Sequence, residues 1–377
     1  MPEQNSVIEL INAIESKLEK VHTQSLDLSF NEILDMKKEG ELRIDPEFQR
    51  VFRWSEGARS RFIESLLLEM PVPPIYVIEE EDGKYLLIDG LQRISSYLHL
   101  RGELVATHLD PAVNQGDKLR LTDCDIVTEL NGKTFEELGS ALQIRLKRAF
   151  VRVEVVRKGS DPRFKYHMFK RLNTGGQLLS EQQIRNCTIR LLNVRFNEFI
   201  IDLSKRENFK TCIQNLTSEQ FLDAYDQELV LRYFALKNYR DNFKHDLADF
   251  LTDYMEGVSD PDISLPFDYE KEEENFETTF AILANSMGEL AFGYANKKKK
   301  IVRGFGIYQF EAFAIGLQAS IAQWNSNDEA SMQRLKELIT EIKTNDTFIG
   351  LVTGGGKNSS GQLRERIQFV ERMLVNG

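Results

Sequence analysis

The stretch Tyr85-Leu-Leu-Ile-Asp-Gly-Leu-Gln-Arg93 joins a strand pattern to a helix pattern. Its first four residues are apolar and β-forming, and the hairpin signal Asp82-Gly83 precedes them. Apolar residues then recur at helical spacing from Leu91 to Leu98. We therefore expect Asp89-Gly90 to lie at a strand-to-helix junction.

Such a junction is suited to binding an anion. Gly90 permits a tight turn or a close approach of the backbone to a ligand. The unpaired N–H groups and positive dipole end of the following helix attract phosphate. Gln92 and Arg93 add donors in the first helical turn, and Asp89 places a carboxylate beside them. The alternative interpretation is that Asp89 only caps the helix and Arg93 is a solvated surface charge.

The composition is that of an ordinary globular protein. The 377 residues suffice for two domains, and 41% are hydrophobic and 28% charged. We find no apolar run of membrane-spanning length and no secretory signal at the start. The three widely spaced cysteines indicate neither a zinc site nor a disulfide framework, which fits a reducing cytoplasm. Together with the lack of a membrane-spanning run, this leads us to expect a cytoplasmic protein that does not enter a membrane.

Charge is distributed unevenly along the chain. The net charge is −11, yet residues 141–195 hold thirteen Lys/Arg against three Asp/Glu. Residues 256–289 hold ten Asp/Glu against one Lys. A basic middle segment could bind phosphate locally, although runs of charge are often only solvated helix faces.

The order of patterns predicts an α+β protein in three parts. Residues 1–24 form an amphipathic helical arm, and residues 25–195 alternate strands with helices. Ser29 and Ser55 are expected to cap helices, the second with a buried face that includes Met70, and a helix is expected over Phe135 to Phe150. Residues 196–377 lose the strand patterns and read as an all-helical domain.

Two further segments carry polar chemistry. In residues 45–54, arginines alternate with aromatic residues, so a guanidinium could bind phosphate while a ring stacks a base. The alternative is a loop whose aromatic side chains pin it to the core. Asn173-Thr-Gly-Gly176 is a flexible turn with exposed N–H groups and a second candidate anion site. Turns of this kind usually only connect helices.

Other catalytic patterns are excluded. Gly354-Gly-Gly-Lys357 fails the P-loop template, because Leu351 stands at the first glycine position and Asn358 follows the lysine. The five histidines are scattered and form no His-x-x-x-His zinc helix. The helical part has one histidine, whereas a His-Asn-His nuclease centre needs a pair. No nucleophile elbow is present for Ser-His-Asp catalysis.

Three motifs in this order resemble the N-terminal domain of GmrSD-type restriction endonucleases, a relative of the ParB/sulfiredoxin fold. They are Phe48-Gln-Arg50 with Trp54, Asp89-Gly-Leu-Gln-Arg93, and Asn173-Thr-Gly-Gly176 with Leu179-Ser180. The family usually has Asp-Gly-Gln-Gln-Arg in the centre, and here Leu91 replaces the first glutamine. The resemblance implies a ParB/sulfiredoxin-like α/β domain followed by helices. Many relatives end in a His-Asn-His nuclease domain, whereas we expect none in this sequence, because its helical part has one histidine only.

The resemblance also implies roles for individual residues. Asp89, Gln92 and Arg93 would be catalytic, with Asp89 binding metal or polarising water and the other two holding the triphosphate. The nucleotide-binding set would be Gln49, Arg50, Arg53, Trp54, Gly90, Asn173, Thr174 and Gly175. The expected cofactor is Mg²⁺.

The leading functional hypothesis is a nucleoside-triphosphate-binding and hydrolysing protein of antiviral defence, directed at DNA. It would act as a sensor or regulatory subunit beside a nuclease partner, or as a DNA nickase itself. The alternatives are a DNA-binding module without catalysis, which uses the basic segment Arg145 to Arg195, and a scaffold. A homo-oligomer is among the open assembly states.

Overall fold

The computed structural model describes residues 10–11, 14–15, 22–44, 52–174, 180–244, 246–354, 356–357 and 359–376. The chain divides into two compact units. Unit 1 comprises Met1–Leu179 and Asn186–Leu191, and unit 2 comprises Ser180–Arg185 and Leu192–Gly377. The mixed α+β class with a helical C-terminal part is confirmed, whereas the ParB likeness and the domain bounds at 24 and 195 remain predictions.

Unit 1 is built on a five-stranded mixed sheet with the order β1-β5-β3-β4-β2. Strand β5 is antiparallel to β1 and parallel to β3, while β4 is antiparallel to β3 and parallel to β2. The middle of β3 and the end of β4 are buried at successive residues, Val77-Ile78 and Leu87-Ile88, whereas β5 alternates exposed with buried residues over positions 150–153. The strands are β1 Thr23–Ser29, β2 Leu42–Arg43, β3 Ile75–Glu79, β4 Tyr85–Asp89 and β5 Phe150–Val156.

Serine caps position the first two helices as predicted. The Ser29 hydroxyl accepts from the N–H of Glu32 at 3.0 Å, and the helix ends at Gly40 with φ 76°. Ser55 caps the second helix in the same way. The helices of this unit are α1 Phe30–Glu39, α2 Glu56–Leu67, α3 Leu91–Leu100, α4 Gly139–Arg148 and α5 Pro162–Thr174.

Two details of the predicted helices are wrong. The helix expected over Phe135 to Phe150 is a 3₁₀ turn at Phe135–Leu138 followed by α4, because Gly139 takes a φ of 76° that breaks the helical path. Phe150 already belongs to β5. Met70 lies beyond the end of α2 at Leu67 and is 45% exposed, so it is not part of the buried helix face.

The core of unit 1 is one apolar cluster. Helices α1 and α2 both pack against α3 and α4, and α5 packs against β4. Phe30 of α1 touches the rings of Phe62 and Tyr97 at centroid distances of 5.7 and 5.4 Å. These contacts fix α3, which begins at the Asp89-Gly90 junction, relative to the sheet.

Helix α6, Glu181–Ile189, contributes its first residues to unit 2 and its last to unit 1. Beyond it the described chain is helical, apart from one short hairpin between β6 Tyr294–Ala295 and β7 Ile301–Val302. The hairpin is the one addition to the all-helical prediction. The helices are α7 Val194–Ser204, α8 Glu207–Ile213, α9 Ser218–Leu222, α10 Tyr225–Asn238, α11 Leu247–Ser259, α12 Tyr269–Met287, α13 Ile307–Gly316, α14 Glu329–Thr344, α15 Asp346–Val352 and α16 Ser360–Asn376.

Unit 2 buries an ionic network among its aromatic side chains. Glu311 accepts from Arg232 at 2.9 Å and from Arg366 at 2.5 Å, and Arg232 also bonds Glu228 at 3.0 Å. Glu311 and both arginines are buried. Buried charges of this kind are tolerated because each has a partner. No helix within the described residues has the length and hydropathy needed to cross a membrane.

Candidate functional site

A bulge at the end of β4 aims Asp89 away from the regular strand alternation. Val77 pairs with Leu87, but its neighbour Tyr76 pairs with Asp89, so Ile88 is an extra residue. Leu87 and Ile88 are both buried, and Asp89 remains accessible. The strand therefore delivers a carboxylate to the surface directly after two core residues.

Gly90 is required at the turn that follows. Its φ is 104°, and a Cβ at this position would meet Ile75 Cγ1 at 2.8 Å. Gly90 is also the N-cap of α3 and has no side chain to satisfy the first-turn N–H groups. The first turn of α3 thus keeps its positive character beside Asp89.

Asp89 and Arg93 form an ion pair one helical turn apart. Arg93 Nη2 donates to Asp89 Oδ2 at 2.8 Å and to the Pro74 carbonyl at 3.0 Å. The side chains of Asp89 and Arg93 are 32% and 15% exposed. Arg93 Nε is buried and makes no hydrogen bond among the described residues. The pair excludes the interpretation of Arg93 as a freely solvated charge.

Gln92 joins this junction to the loop before α2. Its Oε1 accepts from the backbone N–H of Arg53 at 3.2 Å and of Trp54 at 3.1 Å. Two of the three sequence motifs therefore meet in the fold. The Trp54 ring is half-buried and packs edge-on against Phe62 at a centroid distance of 5.9 Å. Gln92 acts here by positioning a backbone segment.

A buried arginine–histidine pair supports the same loop. Arg59 Nε donates to the Trp54 carbonyl at 2.8 Å, and Arg59 Nη1 lies 2.9 Å from His99 Nδ1. Burial and the Arg59 charge lower the pKa of His99 to about 4, so the neutral ring accepts from Arg59. His108 Nε2 lies 3.0 Å from the Phe52 carbonyl. Sequence reasoning missed Arg59, His99 and His108, because a lone polar side chain whose partner is distant in sequence gives no local signal.

The remaining predicted site residues are only partly located. Gln49, Arg50 and Gly175 lie outside the described residues. Asn173 and Thr174 end α5, which packs against β4, the strand that carries Asp89. Leu91, which replaces the glutamine of the resembling family, is buried in the core of unit 1. Its side chain therefore serves packing.

Acidic partners neutralise much of the basic segment. Arg145 and Arg152 bond Glu69 and Asp27 at 2.9 and 3.0 Å, and Arg157 lies 3.1 Å from Glu79. Arg185 is buried against Glu228 at 3.2 Å. The charge available to phosphates is thus smaller than the composition suggests.

Carboxylates suited to a protein-only metal site are not grouped in the described part of the chain. No group of three or more His, Cys, Asp or Glu side chains there could hold a metal ion. Asp89 is a single carboxylate already engaged by Arg93. Mg²⁺ in nucleotide sites is usually held by one or two carboxylates together with substrate phosphates, so one carboxylate beside a phosphate site fits it.

One comparison with known proteins matches the part of the chain that contains this junction. Residues 30–190 match the family model described as GmrSD restriction endonuclease, N-terminal domain. No match was found among curated proteins or among solved structures. The matched residues run from α1 to α6 and include the Asp89–Arg93 pair, the loop at Trp54 and the α5 terminus. Residues 30–190 of this chain are therefore similar to the N-terminal domain of GmrSD-type restriction endonucleases.

Proposed function

We propose that residues 30–190 bind a nucleoside triphosphate at the start of α3 and hydrolyse it in a restriction or anti-phage defence system directed at DNA. A GmrSD N-terminal domain suggests restriction and a DNA target. One observation supports the nucleotide site above all. The first turn of α3 has no capping side chain from Gly90, and it carries Arg93, whose buried Nε makes no hydrogen bond in the described chain.

The phosphates are placed at the N-terminus of α3 and against Arg93. Backbone N–H groups and a guanidinium together form strong, charge-assisted bonds to phosphate oxygens. Arg93 keeps its orientation through the Pro74 carbonyl, and its side chain is 15% exposed. Gln49, Arg50, Asn173, Thr174 and Gly175 complete this proposed binding set on the strength of the family resemblance alone.

Asp89 is proposed to orient the attacking water. Its carboxylate is partly exposed, lies 2.8 Å from the Arg93 guanidinium, and can accept a proton or hydrogen bond from water. When Mg²⁺ is bound with the triphosphate, it neutralises charge on the phosphate oxygens, and Asp89 is the residue that would hold it. Arg93 would stabilise charge that develops on the transferred phosphoryl group.

The loop from Phe52 to Trp54 forms the proposed wall of the nucleotide site. Gln92 and Arg59 hold its backbone from two sides. The Arg53 and Trp54 side chains would contact the nucleotide. Because Gln92 of α3 holds the backbone of this loop, the position of both side chains depends on α3. Catalysis of this type depends mainly on positioning and electrostatics, so loop geometry matters for the rate.

Hydrolysis is proposed to serve sensing or regulation, with cleavage supplied by a nuclease partner subunit or by nicking activity of this chain. A DNA-binding module without catalysis is the competing function. The ion pairs of Arg145, Arg152 and Arg157 reduce the basic surface that such a module would use. A scaffold would bind neither ligand.

A thermal-shift screen with ATP, GTP, CTP and UTP, each with Mg²⁺, tests the proposal. A ligand of the native state raises the melting temperature, so at least one nucleotide should stabilise the protein. If only duplex DNA stabilises the protein, and this stabilisation falls steeply as salt is added, the protein is a DNA-binding module and the proposal is wrong. No shift with any ligand would indicate the scaffold.

A further inference from the structure

We infer that an apolar groove between the C-terminal end of α2 and helix α4 binds the N-terminal arm of a second copy of this chain, residues 1–21. The inference concerns a surface separate from the proposed nucleotide site. None of the residues lining the groove belongs to the Asp89–Arg93 junction or to the loop that Gln92 holds.

The groove has a volume of about 740 Å³ and lies wholly within unit 1. Three of its lining side chains, Met70, Ile144 and Phe150, are 45 to 67% exposed. Leu66 and Val151 form part of its floor and are buried. Large apolar side chains that are exposed and grouped in one concave surface mark a site where a protein partner binds.

The arm presents the matching surface. The described positions Leu10, Ile11 and Ile14 are helical, lie on one helix face by their spacing, and are 46 to 62% exposed. The sequence continues the same stripe from Val7 to Leu18. Three exposed branched apolar residues at one-turn spacing are the pattern with which a helix anchors in a hydrophobic groove.

Charge complements the apolar match. Residues 3–20 of the arm hold four glutamates and two lysines, an excess of two negative charges. Arg145, Arg148 and Arg152 line the groove against Glu69 and Asp27, an excess of one positive charge. Arg148 is exposed and stands beside Phe150, where it can face a glutamate of the arm.

A second copy is the occupant that satisfies both surfaces. Within one chain the described arm residues Leu10, Ile11 and Ile14 are exposed, and so are the groove residues Met70, Ile144 and Phe150, so these three arm side chains do not fill the groove of their own chain. Two copies related by a twofold axis would each insert an arm into the groove of the other. Such a reciprocal contact closes on itself and leaves neither surface open.

Sedimentation velocity of the full chain over a range of concentrations tests the inference. We expect a dimer, with a dissociation constant raised about tenfold or more by Phe150→Ser or by Ile14→Ser, because each removes buried apolar area. Ile126→Ser is the control, since Ile126 is 61% exposed in the same unit and lies outside the groove. Circular dichroism verifies that each variant is folded.

A wild-type chain that is monomeric throughout would overturn the inference, and so would a dimer that resists either variant. Cross-linking then decides whose arm is bound. Chains with Phe150→Cys and chains with Ile14→Cys are mixed and treated with a short bismaleimide, since the three native cysteines are buried. A cross-linked pair of chains is expected. A chain that carries both substitutions is also treated in an excess of wild-type protein. If cross-links form only within that chain and never between chains, the arm does not bind a second copy.

Discussion

The guanidinium of Arg93 donates to the carboxylate of Asp89 at 2.8 Å across one turn at the start of α3. Both side chains belong to one short motif, and the pair holds them at the edge of the same surface. The proposed water-orienting group and the proposed phosphate-binding group are therefore linked before any ligand arrives. Mutation of either residue should change the behaviour of the other.

Replacement of Asp89 by asparagine separates binding from hydrolysis. We expect nucleotide hydrolysis to fall about 100-fold, because the amide cannot accept a proton from water. Nucleotide binding should be retained, since the change removes a negative charge near the phosphates. Steady-state hydrolysis assays measure the rate, and Asp82→Asn on the hairpin is the control because asparagine tolerates its φ of 61°. An unchanged rate in Asp89→Asn would remove the carboxylate from the mechanism.

Gln92→Leu should release the loop at Trp54. The substitution leaves the N–H groups of Arg53 and Trp54 without the Gln92 acceptor, at a cost of about 1–3 kcal/mol in unfolding free energy. Acrylamide quenching of Trp54 fluorescence, in a Trp324→Phe background, should increase. Gln115→Leu is a control on the surface of the same unit. Equal quenching in the two variants would show that Gln92 does not hold the loop.

Acid should destabilise the protein through His99. Its pKa is lowered from 6.5 to about 4 in the folded state, so the unfolded chain binds more protons between these values. The stability contributed by the neutral ring is complete above pH 6.5 and is lost as the pH falls toward 4, by an amount of the order of 3 kcal/mol.

Urea unfolding at several pH values measures this effect. His99→Gln should flatten the dependence of unfolding free energy on pH between 4 and 6.5, because glutamine can accept from Arg59 without titrating. His22→Gln serves as the control because His22 is exposed. A slope that is the same in His99→Gln as in the wild type would assign the acid sensitivity to other groups.

Glu311→Gln should weaken unit 2. The substitution removes the carboxylate shared by Arg232 and Arg366 and leaves two buried guanidinium groups short of a counter-charge. Breaking a buried pair of this kind typically costs about 3–5 kcal/mol. Thermal denaturation of Glu311→Gln beside the exposed Glu341→Gln checks the expectation. Equal melting temperatures would mean that the network contributes little to stability.

Local signals predicted most of the fold of unit 1. Ser29 and Ser55 are helix N-caps whose chemistry acts within four residues, and both were predicted correctly. Gly90 was predicted at the junction because its turn is also local. Met70 and Phe150 were misplaced, since α2 ends at Leu67 and α4 ends at Arg148, and apolar spacing reveals neither end.

The candidate site was harder to predict because its supports are distant in sequence. Gln92 meets Trp54 across 38 residues, and Arg59 meets His99 across 40. Neither partner can be deduced from its own neighbourhood. The charge that the basic segment offers to phosphates was overestimated for the same reason. Glu69 and Asp27, which are remote in sequence, neutralise Arg145 and Arg152. The composition gives the number of charged residues but does not show which of them form ion pairs.

Calorimetric titration of nucleoside triphosphate with Mg²⁺ into wild type, Arg93→Gln and Arg43→Gln tests the central claim most directly. Arg43 is an exposed arginine of the same unit that pairs with Glu80. The account predicts saturable binding to the wild type and to Arg43→Gln, and affinity at least about tenfold weaker in Arg93→Gln, since a charge-assisted bond to phosphate is lost. Absence of binding to the wild type, or equal affinity in a folded Arg93→Gln protein, would contradict it.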